Sequence, residues 1–236
     1  MRRLVLGVGV LALSFMSFTY ASNGGGENVC TVYFPQQIGA ELTYENYNAK
    51  DKLESTDRFK VVNFRENGDS TLIDVEAASF DKKGEEIYNS TFSYTCKDGV
   101  FRMSMESMMD PAMMEAYKDM EITMTQSDIV FPAEMNVGGA LPDAEMNVTV
   151  TSNGMQVMEM NFKIVDRKVE AKESITTPAG TFDCFKLTQT TNMKMMFMNK
   201  TFTSVDWIVP NIGNVRSESY NNKGSLESYR ILTNIK

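Results

Sequence analysis

The chain has 236 residues with a formal net charge of −8, and it contains 19 methionines but no histidine. An acidic chain lacks the basic patches that nucleic acids and anionic membrane surfaces attract, so we expect neither as a partner. Without histidine the chain also lacks the commonest general base and the commonest metal ligand. It has no phosphate-binding loop, nucleophile elbow or dinucleotide fingerprint. The composition therefore predicts a protein that is not an enzyme and uses neither a cofactor nor a metal ion.

The start of the chain has the pattern of a secretory signal. Arg2-Arg3 is basic, positions 4–20 form an uncharged apolar run, and Thr19-Tyr20-Ala21 provides small residues at the −3 and −1 positions. This pattern predicts a signal peptide at 1–21 and a single domain at 22–236. An uncleaved membrane anchor is the alternative, but the run is at the lower limit for a spanning helix. We expect an exported protein of the periplasm or cell envelope, or an extracellular one, with no transmembrane segment after cleavage.

Alternation of apolar and polar residues between turn dipeptides dominates the rest of the chain and predicts antiparallel strands. One type of turn recurs at 47–51, 80–84 and 220–224, where Asn or Asp opens a type I turn and Asp or Gly can adopt the left-handed conformation. Strands are expected near 41–48, 55–64, 71–80, 87–96, 99–105, 120–125, 145–151, 157–165, 168–176, 181–190, 193–208 and, in two pieces, 214–235.

One helix is predicted, over 110–120, because Asp110 is suited to the N-cap and Pro111 to the first helical position. The stretch 131–143 contains Gly138-Gly139 and two prolines and is predicted to be a loop. It could be a domain boundary, but strands of the same kind resume after it. We therefore expect a mainly β protein with one strongly curved antiparallel sheet, or an incomplete barrel, and the helix packed against it. A two-sheet sandwich is the alternative.

The three cysteines allow one internal disulfide and leave one thiol over. We expect the pair Cys30–Cys96, because it would anchor an otherwise free N-terminal segment. Cys184 would then be a buried core thiol, although pairing of Cys96 with Cys184 is an alternative. A leftover thiol can also link two chains, so the oligomeric state stays open.

Seventeen of the 19 methionines lie between Met103 and Met198, and along the predicted strands they often share one face. Methionine is unbranched and flexible, so a methionine-rich wall can adapt to apolar ligands of different shapes. The predicted ligand-binding residues are Met103, Met105, Met113, Met114, Met120, Met124, Met158, Met160, Met193, Met195 and Phe197.

Two other roles for the methionines were considered. They could simply fill an irregular core, in which case the protein is a structural or protein-interaction module of the envelope without a small ligand. They could also bind Cu(I) through the spacing of Met193, Met195, Met196 and Met198. On a strand, however, the first two point away from the last two, so four thioethers would not converge. The sequence therefore favours a non-catalytic binding or carrier protein for an apolar or amphiphilic, lipid-like ligand.

Several segments resemble a known family. The most specific is Thr177-Pro178-Ala179-Gly180-Thr181-Phe182, and it is accompanied by Tyr94-Thr95-Cys96-Lys97-Asp98-Gly99 and by the stretch 207–218. Together they resemble bacterial exported proteins known as TapB-like, or as domain of unknown function 3108, over essentially the whole chain after the signal peptide. The resemblance implies an envelope or periplasmic β protein and carries over no catalytic residue. More distantly, the predicted layout is similar to the lipoprotein carriers LolA and LolB, whose curved sheet holds acyl chains against a helix.

Overall fold

Thirteen antiparallel strands form one continuous sheet in the computed structural model, which describes residues 30–68, 70–105, 117 and 119–236. The strands are β1 Glu41–Asn48, β2 Leu53–Asn67, β3 Ser70–Asp81, β4 Glu86–Lys97, β5 Val100–Met103, β6 Glu121–Gln126, β7 Ile129–Pro132, β8 Ala144–Ser152, β9 Met155–Thr177, β10 Gly180–Met195, β11 Met198–Val209, β12 Gly213–Asn221 and β13 Leu226–Ile235. Their spatial order is β6-β8-β9-β10-β11-β12-β13-β1-β2-β3-β4-β5-β7.

The two edge strands, β6 and β7, are neighbours in the chain. Only Ser127 and Asp128 separate them, so the Cα atoms of Gln126 and Ile129 are at most about 11 Å apart. Two strands at opposite ends of a 13-stranded order can be this close only if the sheet curls back on itself. The described residues show no hydrogen-bonded ladder between β6 and β7, so the sheet is not closed. The prediction of a single strongly curved antiparallel sheet is confirmed, and the two-sheet sandwich is wrong.

One face of each strand supplies the core. On β3 the buried residues are Ile73, Val75 and Ala77, and on β8 they are Ala144, Met146, Val148 and Val150, alternating with more exposed neighbours. Because successive side chains of a strand point to opposite faces, this alternation places all of them on the inner side of the curl. A single sheet can therefore enclose its own core.

The recurring turn occurs at all three predicted places. In each, the side-chain Oδ1 of the opening residue accepts hydrogen bonds from the backbone N–H groups two and four positions later: 2.9 and 3.3 Å at Asn48, 2.8 and 3.0 Å at Asp81, and 2.9 and 3.1 Å at Asn221. The left-handed position is filled by Asp51, Gly84 and Gly224, with φ of 56°, 83° and 74°. The same local chemistry thus fixes three hairpins.

Three details of the predicted strands are wrong. Strand β7 lies at the start of the predicted loop, and Pro132 is tolerated there because β7 is an edge strand. The predicted strands 157–165 and 168–176 are one strand, β9, which continues through a left-handed residue, Asp166 (φ 54°). The turn after β10 falls at Met196 and Phe197 instead of before Met193, with Met196 at φ 48° and no Gly or Asn to signal it.

Two predictions fall on residues that the structure does not describe. The signal peptide at 1–21 lies wholly outside the described residues, and the helix at 110–120 lies outside them apart from Tyr117, Asp119 and Met120. Among the described residues, no helix has the length and apolar character needed to cross a membrane.

A disulfide attaches the N-terminal segment to the sheet. Cys30 is bonded to Cys96 on β4, with 6.0 Å between their Cα atoms, which confirms the predicted pair. Cys184 is a buried free thiol whose pKa burial raises to about 11. Beyond Cys30 the segment runs across the sheet, and Gly213 passes so near that a Cβ there would lie 2.8 Å from the carbonyl oxygen of Tyr33. Gly213 also has a φ of 98°, so this close approach requires glycine.

Candidate ligand cavity

A cavity of about 470 Å³ lies on the inner side of the sheet. The N-terminal segment and strands β1–β5, β7 and β10–β13 line it, whereas β6, β8 and β9 contribute none of the described lining residues. On β4 the lining residues are Tyr88, Ser90, Phe92 and Tyr94, which are every second residue and therefore lie on one face of the strand. Pockets that bind small molecules typically have about 300–1,000 Å³, so this volume is in the usual range.

Aromatic rings form most of the apolar wall. Phe34 contacts Tyr94 with ring centroids 4.9 Å apart, Tyr94 contacts Phe92 at 5.1 Å, and Tyr33 contacts Phe131 at 5.5 Å. These are tilted or edge-to-face contacts, the arrangements that aromatic pairs prefer. Burial raises the pKa values of Tyr33 and Tyr44 to about 12, so both phenols stay neutral and act as part of the wall.

One polar group in the cavity is an arginine held between two rings. The Arg230 Cζ atom lies 4.1 Å from the ring centroid of Tyr44 and 4.9 Å from that of Phe59. Its Nη2 lies 3.4 Å from Oδ2 of Asp57 in an ion pair. Asp57 is itself fixed, since its Oδ1 accepts a hydrogen bond from Ser79 at 2.6 Å and its Oδ2 accepts one from Asn46 at 2.8 Å.

A second polar group, Asp206, faces the cavity from β11. Its Oδ1 accepts hydrogen bonds from Ser217 Oγ at 2.6 Å and Asn214 Nδ2 at 3.0 Å, and its Oδ2 accepts one from Gln189 Nε2 at 3.3 Å. Burial raises the pKa of Asp206, and these hydrogen bonds partly offset the effect. Behind it, the buried Arg167 donates to Gln189 at 3.2 Å, and burial lowers the pKa of Arg167 to about 10.

The methionines predicted to bind a ligand are distributed differently from the cavity lining. Met103 lines the cavity, whereas Met105, Met158 and Met160 are buried in the core. The remaining predicted residues are partly buried (Met124, Met193, Met195), exposed (Met120, Phe197) or outside the described residues (Met113, Met114).

The sequence analysis did not select the aromatic residues or Arg230 as candidates. A signal for the aromatics is present, because the alternation of Tyr88, Ser90, Phe92 and Tyr94 puts four side chains on one face of a single strand. No local pattern marks Arg230, whose partners Tyr44 and Asp57 lie on other strands. Among the described residues, no three His, Cys, Asp or Glu side chains are grouped as a metal site would require.

A family model for DUF3108-like proteins matches residues 37–232, which include every strand of the sheet except the last three residues of β13. The chain belongs to the DUF3108-like family. The family resemblance predicted from the sequence is thus confirmed, and none of the curated proteins matches the chain.

Two solved structures share the fold of this DUF3108-like protein. A protein of Bacteroides fragilis NCTC 9343, described as exported with a YmcC-like fold, is 28% identical with a TM-score of 0.72. A protein of Parabacteroides distasonis ATCC 8503, described as a lipoprotein, is 24% identical with a TM-score of 0.74. Each comparison covers 88% of this chain and 100% of the other. The likeness gives this chain the YmcC-like fold, and the description of the Bacteroides fragilis protein supports an exported or envelope location in general.

Proposed function

We propose that this protein is a non-catalytic binding or carrier protein of the cell envelope, and that it takes up an apolar or amphiphilic small molecule in the cavity inside its sheet. The observation that supports this is the cavity itself, about 470 Å³ in volume with a wall of contacting aromatic rings. In its size and in its mainly apolar wall this partly open cavity is like the pockets in which proteins usually bind small molecules.

The composition of the lining also supports an amphiphile. Phe92, Ile129 and Phe131 offer apolar surface, whereas Arg230 and Asp206 offer charge within the same space. Binding sites for small molecules typically combine a mainly apolar wall with a few polar groups at fixed positions. Met103 belongs to this lining and is the predicted ligand-binding methionine that this proposal uses.

Two neighbouring alanines of β3 allow a controlled test. Ala77 lines the cavity, and Ala78 is on the opposite face of the strand. We expect Ala77→Phe to fill part of the cavity and weaken binding of a fluorescent fatty-acid probe by about tenfold or more, the effect of losing roughly 1.4 kcal/mol. Ala78→Phe should bind the probe as the wild type does.

Native mass spectrometry of protein purified from its own host provides a second measurement, in which a bound molecule would appear as added mass. A protein that is ligand-free in that experiment and also binds no probe would contradict the proposal. If Ala77→Phe and Ala78→Phe both bound the probe as tightly as the wild type does, the probe would bind outside the cavity.

A second candidate function, an interaction module of the envelope, is favoured by an exposed apolar hairpin tip. Phe197 is 97% exposed, and Met196 and Met198 beside it are also exposed. Single exposed apolar residues are common, but three in succession at one tip are typical of contact surfaces. If this tip joins copies of the chain, light scattering should show an oligomer in the wild type and a monomer in Phe197→Ser. A monomer in both would count against self-association through the tip.

A further inference from the structure

The guanidinium of Arg230 has hydrogen-bonding capacity that the described residues do not use. Its Nε and Nη2 atoms are buried and make no hydrogen bond, although Nη2 forms the ion pair with Asp57 at 3.4 Å. The Arg230 side chain as a whole is 32% exposed. Since Nε and Nη2 are buried, that exposed surface belongs to the other guanidinium nitrogen and to the methylene stem.

Neither Arg230 nor Asp57 can easily move so that the unused donors of the guanidinium find acceptors. The guanidinium is fixed between the rings of Tyr44 and Phe59, and both carboxylate oxygens of Asp57 already accept hydrogen bonds from Ser79 and Asn46. A buried cation that lacks hydrogen-bond acceptors is costly. The two buried nitrogens are out of reach of a ligand, so an incoming acceptor oxygen would meet the exposed nitrogen, Nη1, where a hydrogen bond to the charged guanidinium would stabilise it.

The other charged group of the cavity does not offer a comparable site. Asp206 already accepts three hydrogen bonds, so it has little capacity left for a cationic ligand. Asn214 Oδ1 is also buried without a hydrogen bond among the described residues, but it is an acceptor and does not attract an anion. The lining thus contains two carboxylates and one guanidinium. Both carboxylates repel any anionic head group, and they repel one with two negative charges more strongly than one with a single charge.

Building on the proposed function, we infer that the ligand is a single-chain amphiphile with one acidic head, a carboxylate. Its oxygens accept hydrogen bonds from Arg230, and its chain lies along Phe92, Ile129 and Phe131. The volume of about 470 Å³ lies in the range of pockets that bind small molecules, and a saturated acid with a 12-carbon chain serves as the test ligand.

The head-group preference can be measured with four probes that share a 12-carbon chain: dodecanoate, dodecanol, dodecyl phosphate and dodecyltrimethylammonium. Isothermal titration calorimetry below the micelle concentration of each probe would compare their affinities for the full mature protein. We expect dodecanoate to bind most tightly, by about tenfold or more over dodecanol, because a hydrogen bond to a charged group contributes more than one between neutral groups.

Three variants identify the residue responsible. Asp57→Asn leaves Arg230 without its counter-ion and should strengthen dodecanoate binding. The double variant Arg230→Gln with Asp57→Asn removes both charges together, so no unpaired charge is left buried. It should weaken dodecanoate binding by about tenfold and leave dodecanol unchanged. Arg58→Gln is the matched control, because Arg58 neighbours Asp57 but faces away from the cavity, over the ring of Phe80.

The outcomes separate this inference from the proposed function. If the wild type binds all four probes alike and the double variant does too, the cavity binds ligands but the acidic head is wrong. If dodecyl phosphate or dodecyltrimethylammonium bound most tightly, the inference of a carboxylate head would also be wrong. Failure of the wild type to bind any probe would overturn the proposed function itself. Circular dichroism of each variant establishes that a loss of binding is not a loss of folding.

Discussion

Two regions of the sheet are built from different apolar side chains, and only one of them lines the cavity, together with β10–β13. The aromatic region comprises the segment 30–40 with strands β1–β5 and β7, and the methionine region comprises β6, β8 and β9. The first holds the ring contacts around Phe101, Tyr94 and Phe131. The second is packed around Met146, Met158 and Met160, all of them buried.

The two kinds of side chain differ in shape. An aromatic ring is rigid and planar and meets its neighbours in tilted or edge-to-face contacts. Methionine has an unbranched chain with several rotatable bonds and fills irregular gaps. The buried methionines of β8 and β9 therefore belong to the core, and the less conspicuous aromatic residues surround the cavity.

The first prediction tests the rigidity of the aromatic region. Phe101 is 0% exposed, and its ring contacts those of Tyr33, Tyr94 and Phe131. Phe101→Ala should lower the free energy of unfolding by about 3–5 kcal/mol, because it removes a buried ring and leaves a new void. Urea denaturation followed by circular dichroism measures the change. A loss below about 1 kcal/mol would show that the neighbouring rings can move into the void, and so that the aromatic region is not rigid.

The second prediction tests the methionine region. Met160→Ala should lower the free energy of unfolding by about 2–5 kcal/mol, because Met160 is fully buried. Met155→Ala on the same strand is the control, and since Met155 is 69% exposed its effect should be within about 0.5 kcal/mol. Under folding conditions the affinity for a fatty-acid probe should be unchanged in both. Weaker binding by Met160→Ala would extend the binding site into the methionine region.

The third prediction concerns the disulfide, which holds Tyr33 and Phe34 in the aromatic region. Replacing Cys30 and Cys96 together by Ala should lower the free energy of unfolding by about 2–4 kcal/mol, since the bridge links residues 66 positions apart. It should also weaken probe binding, because both aromatic residues line the cavity. Peptide mapping without reductant should recover a Cys30–Cys96 peptide, and a Cys96–Cys184 peptide would contradict the pairing.

The smallest expected effect is the pH dependence due to Asp206. Burial raises its pKa in the native state above the ordinary value of 3.8, so the native state binds this proton more tightly than the unfolded chain. The stability that this tighter proton binding contributes is fully present below pH 3.8, and it is lost as the pH rises through the native pKa of Asp206. The wild type should therefore gain stability relative to Asp206→Asn as the pH falls from 7. It should gain no more once the pH is below 3.8, the pKa of Asp206 in the unfolded chain. The opposite trend would show that hydrogen bonding outweighs burial at Asp206.

The sequence by itself determined the local structure of this protein. Alternation predicted most of the strands, and Asn48, Asp81 and Asn221 predicted three hairpins, because a turn depends on a side chain and on backbone groups only two to four residues away. The family followed from short motifs, and the disulfide was expected at Cys30 and Cys96 because that pair would anchor the N-terminal segment. The turn at Met196 was missed because methionine has no intrinsic preference for its left-handed φ of 48°.

Only the tertiary structure decided which strands meet and what they enclose. Strands β6 and β7, two residues apart in the chain, are at opposite edges of the sheet, and no local signal specifies that arrangement. The contact of Arg230 with Tyr44 and Asp57 depends on the pairing of β13 with β1 and of β1 with β2. Methionine on an inward-facing strand position has the same pattern whether it fills a core or lines a cavity. The two cases differ in the volume left between distant side chains, and that volume exists only once the sheet has curled.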